Sequence, residues 1–249
     1  MQFGLLAVLS TAAVLVVRRM TFFRRCGWPG AAHRLYRRAS WLTGGGIWCA
    51  MLLQEWVLWR SGQLTWQTGL PLHLCSMMGV LALPMLLTEN RLLWHFALYA
   101  GMPGALLALI FPAVLDTPWP ELTQLGFHSL HALLFLSPLL PLGLGKQPEG
   151  AGVLHAWIIL LGAGCAVMVV NGLLGSNYLF LAGPAPVAPM LFLAQKGIWL
   201  YRLALVLLSA LVIGAQGLVM CRLSRCGFCK VPVKSHRRPA GDVYNRQKI

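Results

Sequence analysis

Hydrophobic residues run through this chain in long blocks, and polar positions fall mostly between the blocks, not in alternation within them. A block of about 20 apolar residues, at 1.5 Å per residue, spans the hydrocarbon of a bilayer, whereas alternation at period two would mark strands. Seven blocks are bounded by charge or by Gly, Pro and Asn turns, at approximately 2 to 17, 41 to 59, 70 to 88, 92 to 113, 122 to 143, 151 to 174 and 191 to 220. The pattern predicts an all-α, polytopic membrane bundle of about seven transmembrane helices over residues 1–220, followed by a basic tail at 221–249. No internal repeat and no dividing linker is visible. The first block could be read as a secretory signal. Its charges, Arg18 and Arg19, follow the apolar stretch instead of preceding it, so a retained first helix is expected.

Composition sharpens this reading. The chain is 58% hydrophobic and 10% charged, against roughly 45–50% and 25% in a soluble domain, too little polar surface to face water. Its 20 basic and 6 acidic residues give a net charge of +14, which would suit nucleic acid if the charges were gathered for it. Instead, seventeen of the 20 fall in residues 18–38, at Arg91, at Lys146 and beyond residue 220. Those stretches lie on one side of the threaded bundle, so retention of basic loops in the cytoplasm places the N-terminus outside and the C-terminus inside. The expected partners are membrane lipids, with about 1 kcal/mol of attraction to anionic head groups per basic residue near the surface. No nucleic-acid role is expected, because the tail interleaves no aromatics for stacking. The pattern fixes no oligomeric state.

The same threading gathers the polar residues of the membrane part into one half. Glu55 lies near the outer end of the second helix, His73 and Cys75 near the start of the third, and His128 and His131 in the fifth. Asn171 ends the sixth, and Lys196, Tyr201 and Arg202 begin the seventh. Each is expensive in hydrocarbon unless partnered or functional. From helix rise, Cys75 should lie roughly 8 Å and His131 roughly 12 Å below the outer helix ends, the first four to five residues inside its helix. A thiol with an imidazole base is a minimal set for acyl transfer through a thioester, offered here at the depth of lipid ester carbonyls. Competing readings are plain packing for Cys75, helix-to-helix hydrogen bonds for the histidines, and pairing of Glu55 with Arg60 or Lys196. Trp56, Trp59, Trp66 and Trp119 read as an interfacial belt. Cys221, Cys226 and Cys229, with His236 after them, lack the second close pair of a zinc site, and the cysteines read as juxtamembrane thiols. No metal or soluble cofactor is called for.

Two segments carry a family resemblance. LPLHLC at residues 70–75, followed about a hundred residues later by NGLLGSNYLFL at 171–181, resembles the YwaF-like family of bacterial integral membrane proteins. That family is distantly similar to the animal transmembrane protein 164, a lipid acyltransferase. The resemblance implies a plasma-membrane protein of a bacterium with Cys75 as acyl-accepting nucleophile and His131 as base, His128 being the alternative. It implies a substrate or oxyanion role for the GSNY segment, Ser176, Asn177 and Tyr178, beside His73 and Asn171. Glu55 would orient a histidine. The alternative class is a transporter or ligand-binding protein using the same polar site, and a third is a scaffold without turnover.

Overall fold

The computed structural model describes residues 2–185 and 187–225, and the regular structure among them is helical. The chain runs through α1 (Gln2–Arg25), α2 (Pro29–Arg60), α3 (Leu74–Thr88), α4 (Arg91–Phe96), a π segment (Ala97–Gly101) and α5 (Met102–Ile110). It continues through α6 (Pro120–Leu136), a 3-10 turn (Ser137–Leu139), α7 (Leu140–Gly143), α8 (Gly150–Leu174), a 3-10 turn (Tyr178–Phe180), α9 (Ala188–Gln195) and α10 (Ile198–Arg225). Among the described residues, four helical stretches are long and apolar enough to cross a membrane: Arg91–Ile110, Pro120–Gly143, Gly150–Leu174 and Ile198–Leu223. α3 is apolar but shorter, at 15 residues. Of the tail candidates, Cys221 lies in α10, while Cys226, Cys229 and His236 fall outside the described residues.

Several helix limits differ from the apolar blocks, each for a local reason. The basic stretch 18–38 is helical except around Cys26–Trp28, because arginine and leucine are good helix formers and Pro29 opens α2 where its missing N–H costs nothing. α3 starts only at Leu74, because His73 takes extended backbone (φ −74°, ψ 150°) as its N-cap, while Pro71 biases Leu70 away from helix. The last apolar block breaks at Gly197, whose φ of 134° needs the absence of a Cβ.

The loops sort to two ends. At one, Gln63 donates to the Asp116 carbonyl, Gln67 to that of Leu174, and the Tyr178 hydroxyl to that of Trp66. This joins the 61–73, 111–119 and 175–185 connections into a cap. At the other, Arg24 reaches the Gly143 carbonyl, Lys146 pairs with Glu89 and Arg91 with Glu149. Between them, Trp94 through Pro103 form a continuously buried stretch. α8 and α10 instead turn much of their apolar surface outward: Leu173 is 80% and Leu211 68% exposed. Such surface is stable against lipid and not against water.

Glycines set how closely α2 meets its neighbours. A Cβ on Gly44 would fall 2.9 Å from that of Leu83 on α3, one on Gly46 3.0 Å from Leu133 Cδ1 on α6, and one on Gly126 3.0 Å from Gln54 Cγ. Gly79 likewise faces the Met51 side chain. Where helices associate in lipid, small residues that let backbones approach replace the hydrophobic drive available in water.

Candidate functional site

α3 brings the first candidates. His73 is its N-cap, with extended backbone (φ −74°, ψ 150°) and no side-chain capping bond. Leu74 is therefore the first helical residue and Cys75 the second, nearer the helix start than its sequence depth implied. Among the described residues, the N–H groups of Leu74, Cys75 and Ser76 have no partner; the Met77 N–H is the first to bond back, to the His73 carbonyl. Free N–H groups and the aligned peptide dipoles favour negative charge at this point. Cys75 is a free, half-buried thiol packed against the hydrophobic core.

α6 supplies the histidines, both buried. His131 Nδ1 lies 2.7 Å from the Phe127 carbonyl and His128 Nδ1 2.7 Å from that of Gln124. A carbonyl only accepts, so each Nδ1 carries the hydrogen and each Nε2 keeps its lone pair. That is the tautomer a proton acceptor needs.

The glycine contacts give the register between these groups. Matching Gly79 and Leu83 of α3, and Gly126 and Leu133 of α6, to their neighbours on α2 puts Cys75 level with the turn that ends at Glu55. His128 then stands about one helical turn deeper and His131 nearly two. Gly79 faces α2, while Leu74 meets Gly104 and Met78 meets Gly101 on the α5 side. At 100° per residue, Cys75 projects between those two directions, about 40° from the α2 contact line. α6 packs on both α2 and α5 and thus borders that sector. His131 and His128 lie about 140° and 200° around α6 from its contact line with α2. α3 and α6 are in contact, so thiol and imidazoles sit on neighbouring helices. On this register the histidines turn away from the α2-facing side of α6 while Cys75 stays near the α2-facing side of α3. Among the described residues no hydrogen bond joins them in this neighbourhood.

The cap covers this neighbourhood. The His73 ring meets Tyr178 edge-on at 5.3 Å and Phe180 at 5.3 Å. Tyr178 is fully buried; its hydroxyl donates to the Trp66 carbonyl and accepts from the Leu70 N–H, 2.9 Å each. Asn171 holds the Tyr178 backbone from both sides, donating to its carbonyl at 2.9 Å and accepting its N–H at 2.9 Å, while also accepting from Ser176 Oγ at 2.8 Å. Asn177 Oδ1 accepts the N–H groups of Ala182 and Gly183, and its Nδ2 donates to the Gly183 carbonyl, leaving one amide hydrogen unassigned. Glu55 is half-buried, with Oε2 3.4 Å from where a Cβ on Gly69 would stand. Among the described residues it pairs with neither Arg60 nor Lys196, which lie over Trp59 and Phe192.

The TMEM164 family model matches residues 2–215. The chain belongs to the TMEM164 family. It is accordingly a multi-pass membrane protein in contact with lipid, and the match takes in every candidate residue from Glu55 to Arg202. No curated protein and no solved structure matches the chain.

Three features of this TMEM164-family site were not read from the sequence. The uncapped start of α3 had a signal, since His73 stands where Ser, Thr, Asp or Asn would cap. Leu179 and Phe180 both have left-handed backbone, φ 55° and 56°, which costs about 1–3 kcal/mol each for residues with a Cβ. Nothing in NYLFL announces it. Tyr201 and Arg202 hold that strained turn, the tyrosine donating to the Phe180 carbonyl at 2.9 Å and Arg202 Nε to the Leu181 carbonyl at 2.9 Å. Among the described residues, no group of three or more His, Cys, Asp or Glu side chains is placed to hold a metal ion.

Proposed function

We propose that this protein is a bacterial plasma-membrane acyltransferase with seven spans, its N-terminus outside and its C-terminus cytoplasmic, and that Cys75 carries the acyl group. The Cys75 sulfur attacks an ester carbonyl of a phospholipid, its proton passing to the bare Nε2 of His131, with His128 the alternative. The tetrahedral oxyanion is met by the free N–H groups at the start of α3 and by the remaining amide hydrogen of Asn177. Ser176, its hydroxyl donated to Asn171, and Tyr178 shape the cap. The carbon–oxygen bond breaks, the histidine returns its proton to the departing lysolipid oxygen, and a thioester remains on Cys75. A lysolipid hydroxyl then takes the acyl group, losing its proton to the same imidazole, and the thiol is restored. Glu55 serves as an orienting group on the facing turn of α2.

The observation that carries this reading is the position of Cys75 as second residue of an uncapped helix that packs against α6, the helix bearing two buried, Nδ1-protonated histidines. Cys75→Ser should abolish labelling by a thiol-reactive lipid probe and transfer of acyl chains to lysolipid in proteoliposomes. Undiminished transfer would remove the mechanism. The carboxylate of Glu55, without an ion-pair partner among the described residues, favours a second reading, a transporter or binding protein with a polar site under the cap. It predicts the reverse pattern, with Cys75→Ala harmless and Glu55→Gln inactivating.

A further inference from the structure

Among the cations at the cap end, Arg202 is held unlike the others. Arg60 and Lys196 are exposed, whereas Arg202 is half-buried in the first turns of α10. Two contacts fix its guanidinium. Nε donates to the Leu181 carbonyl at 2.9 Å, and the Trp199 ring, one helical turn away, lies beneath at 4.7 Å from centroid to Cζ. Among the described residues no carboxylate pairs with it, so both terminal amino groups of the fork keep their hydrogens. A planar, pre-set, unpaired fork is the geometry that binds phosphate through two parallel hydrogen bonds. Ordering an arginine for surface charge alone would bring little, since its rotamer entropy is large.

The fork is anchored to the strained turn that covers the candidate site. Leu181 follows Phe180, whose ring touches His73, two residues before Cys75. In a glycerophospholipid only the glycerol unit separates the phosphodiester from the ester carbonyls. We propose that Arg202 is the residue that selects a glycerophospholipid by its phosphodiester, setting the ester carbonyl over the start of α3. This rests on the acyl-transfer reading for its consequence, but the phosphate contact is testable without turnover.

Full-length protein carrying Cys75→Ser is incorporated in nanodiscs, and retention of phosphatidylglycerol and of diacylglycerol with the same chains is measured by native mass spectrometry. Arg202→Gln should weaken phosphatidylglycerol retention about tenfold, the loss of roughly one charge-assisted bond pair, and leave diacylglycerol unchanged. Arg202→Lys can still donate to Leu181 and should keep the melting temperature while losing most of the preference. Equal effects on both lipids, or a preference intact in both variants, would overturn the proposal. Displacement of the lipid by millimolar inorganic phosphate would also overturn it, marking a site for soluble anions. Acyl labelling of Cys75 in the otherwise unaltered chain reports separately. Labelling absent with lipid preference intact removes the acyltransferase and leaves Arg202 in place; labelling present with no preference removes Arg202 alone.

Discussion

The two histidines of α6 have the same tautomer and similar burial, so depth is what distinguishes them. Register places His128 about one turn and His131 nearly two turns below Cys75, and the two rings project about 60° apart around α6. If His131 is the base, His131→Gln should lower acyl transfer by 10²–10⁴, the usual contribution of a positioned base, with His128→Gln within about tenfold of the parent. The opposite ranking would assign the role to His128. Kinetics of thioester formation in single turnover measure it. Asn171 makes a separate case. Asn171→Leu would orphan the Ser176 hydroxyl and both backbone groups of Tyr178, at about 1–3 kcal/mol per buried group, so thermal unfolding in detergent should shift down clearly. Tyr178→Phe, losing only the hydroxyl bridge, should fall between the variant and the parent. The sequence already exposed Cys75, the paired histidines and Asn171 as polar residues within apolar surroundings, and the rest of NGLLGSNYLFL through its family resemblance. It did not disclose that Asn171 would grip Tyr178 or that Leu179 and Phe180 would turn left-handed, since such bonds depend on where distant backbone ends up.

At the level of elements, the apolar blocks announced helices well because bilayer length and helix rise are a strong joint constraint. Their limits were less visible. The basic connection at 18–38 reads as loop when charge is taken to mean solvent, but arginines extend helices and let their heads reach water along a long stem. The break at Gly197 and the late start of α3 are backbone effects of single residues, which hydropathy averages away. Packing of α2 on α6 depends on Gly126, so Gly126→Leu should push against Gln54 and the Ala50 carbonyl and destabilise by about 1–3 kcal/mol, as overpacked cores do. Because Gly126 also sets the depth of His128 and His131, acyl labelling of Cys75 should slow in this variant even at temperatures where it stays folded. Loss of stability with labelling unchanged would separate the register from the chemistry.

For the whole molecule, the separation of a cap end from a basic end agrees with charge sorting along the chain: the ion pairs of Glu89 with Lys146 and Glu149 with Arg91 gather at the end where the arginine-rich hairpin turns. Under the proposed threading, a fluorescent protein fused after residue 249 should fluoresce and a periplasmic phosphatase fused there should stay inactive. A phosphatase inserted near Gln67 should be active, and inverse results at both positions would reverse the orientation. The π segment has a consequence of its own. Its hydrogen-bond ladder accommodates one residue beyond an α-turn, and Gln216 donates to the Leu98 carbonyl within it at 3.3 Å. Deleting one residue there would let the turn close to α geometry with its two halves near their present phase. Deleting one from the regular turns of α5 would instead screw the parts of that span about 100° against each other and draw them in by about 1.5 Å. The first deletion should therefore spare, and the second strain, the bond of the Trp94 indole to the Pro138 carbonyl, now 2.9 Å. The wide turn thus works as a slack loop, swallowing one surplus unit so that both halves of the span keep step.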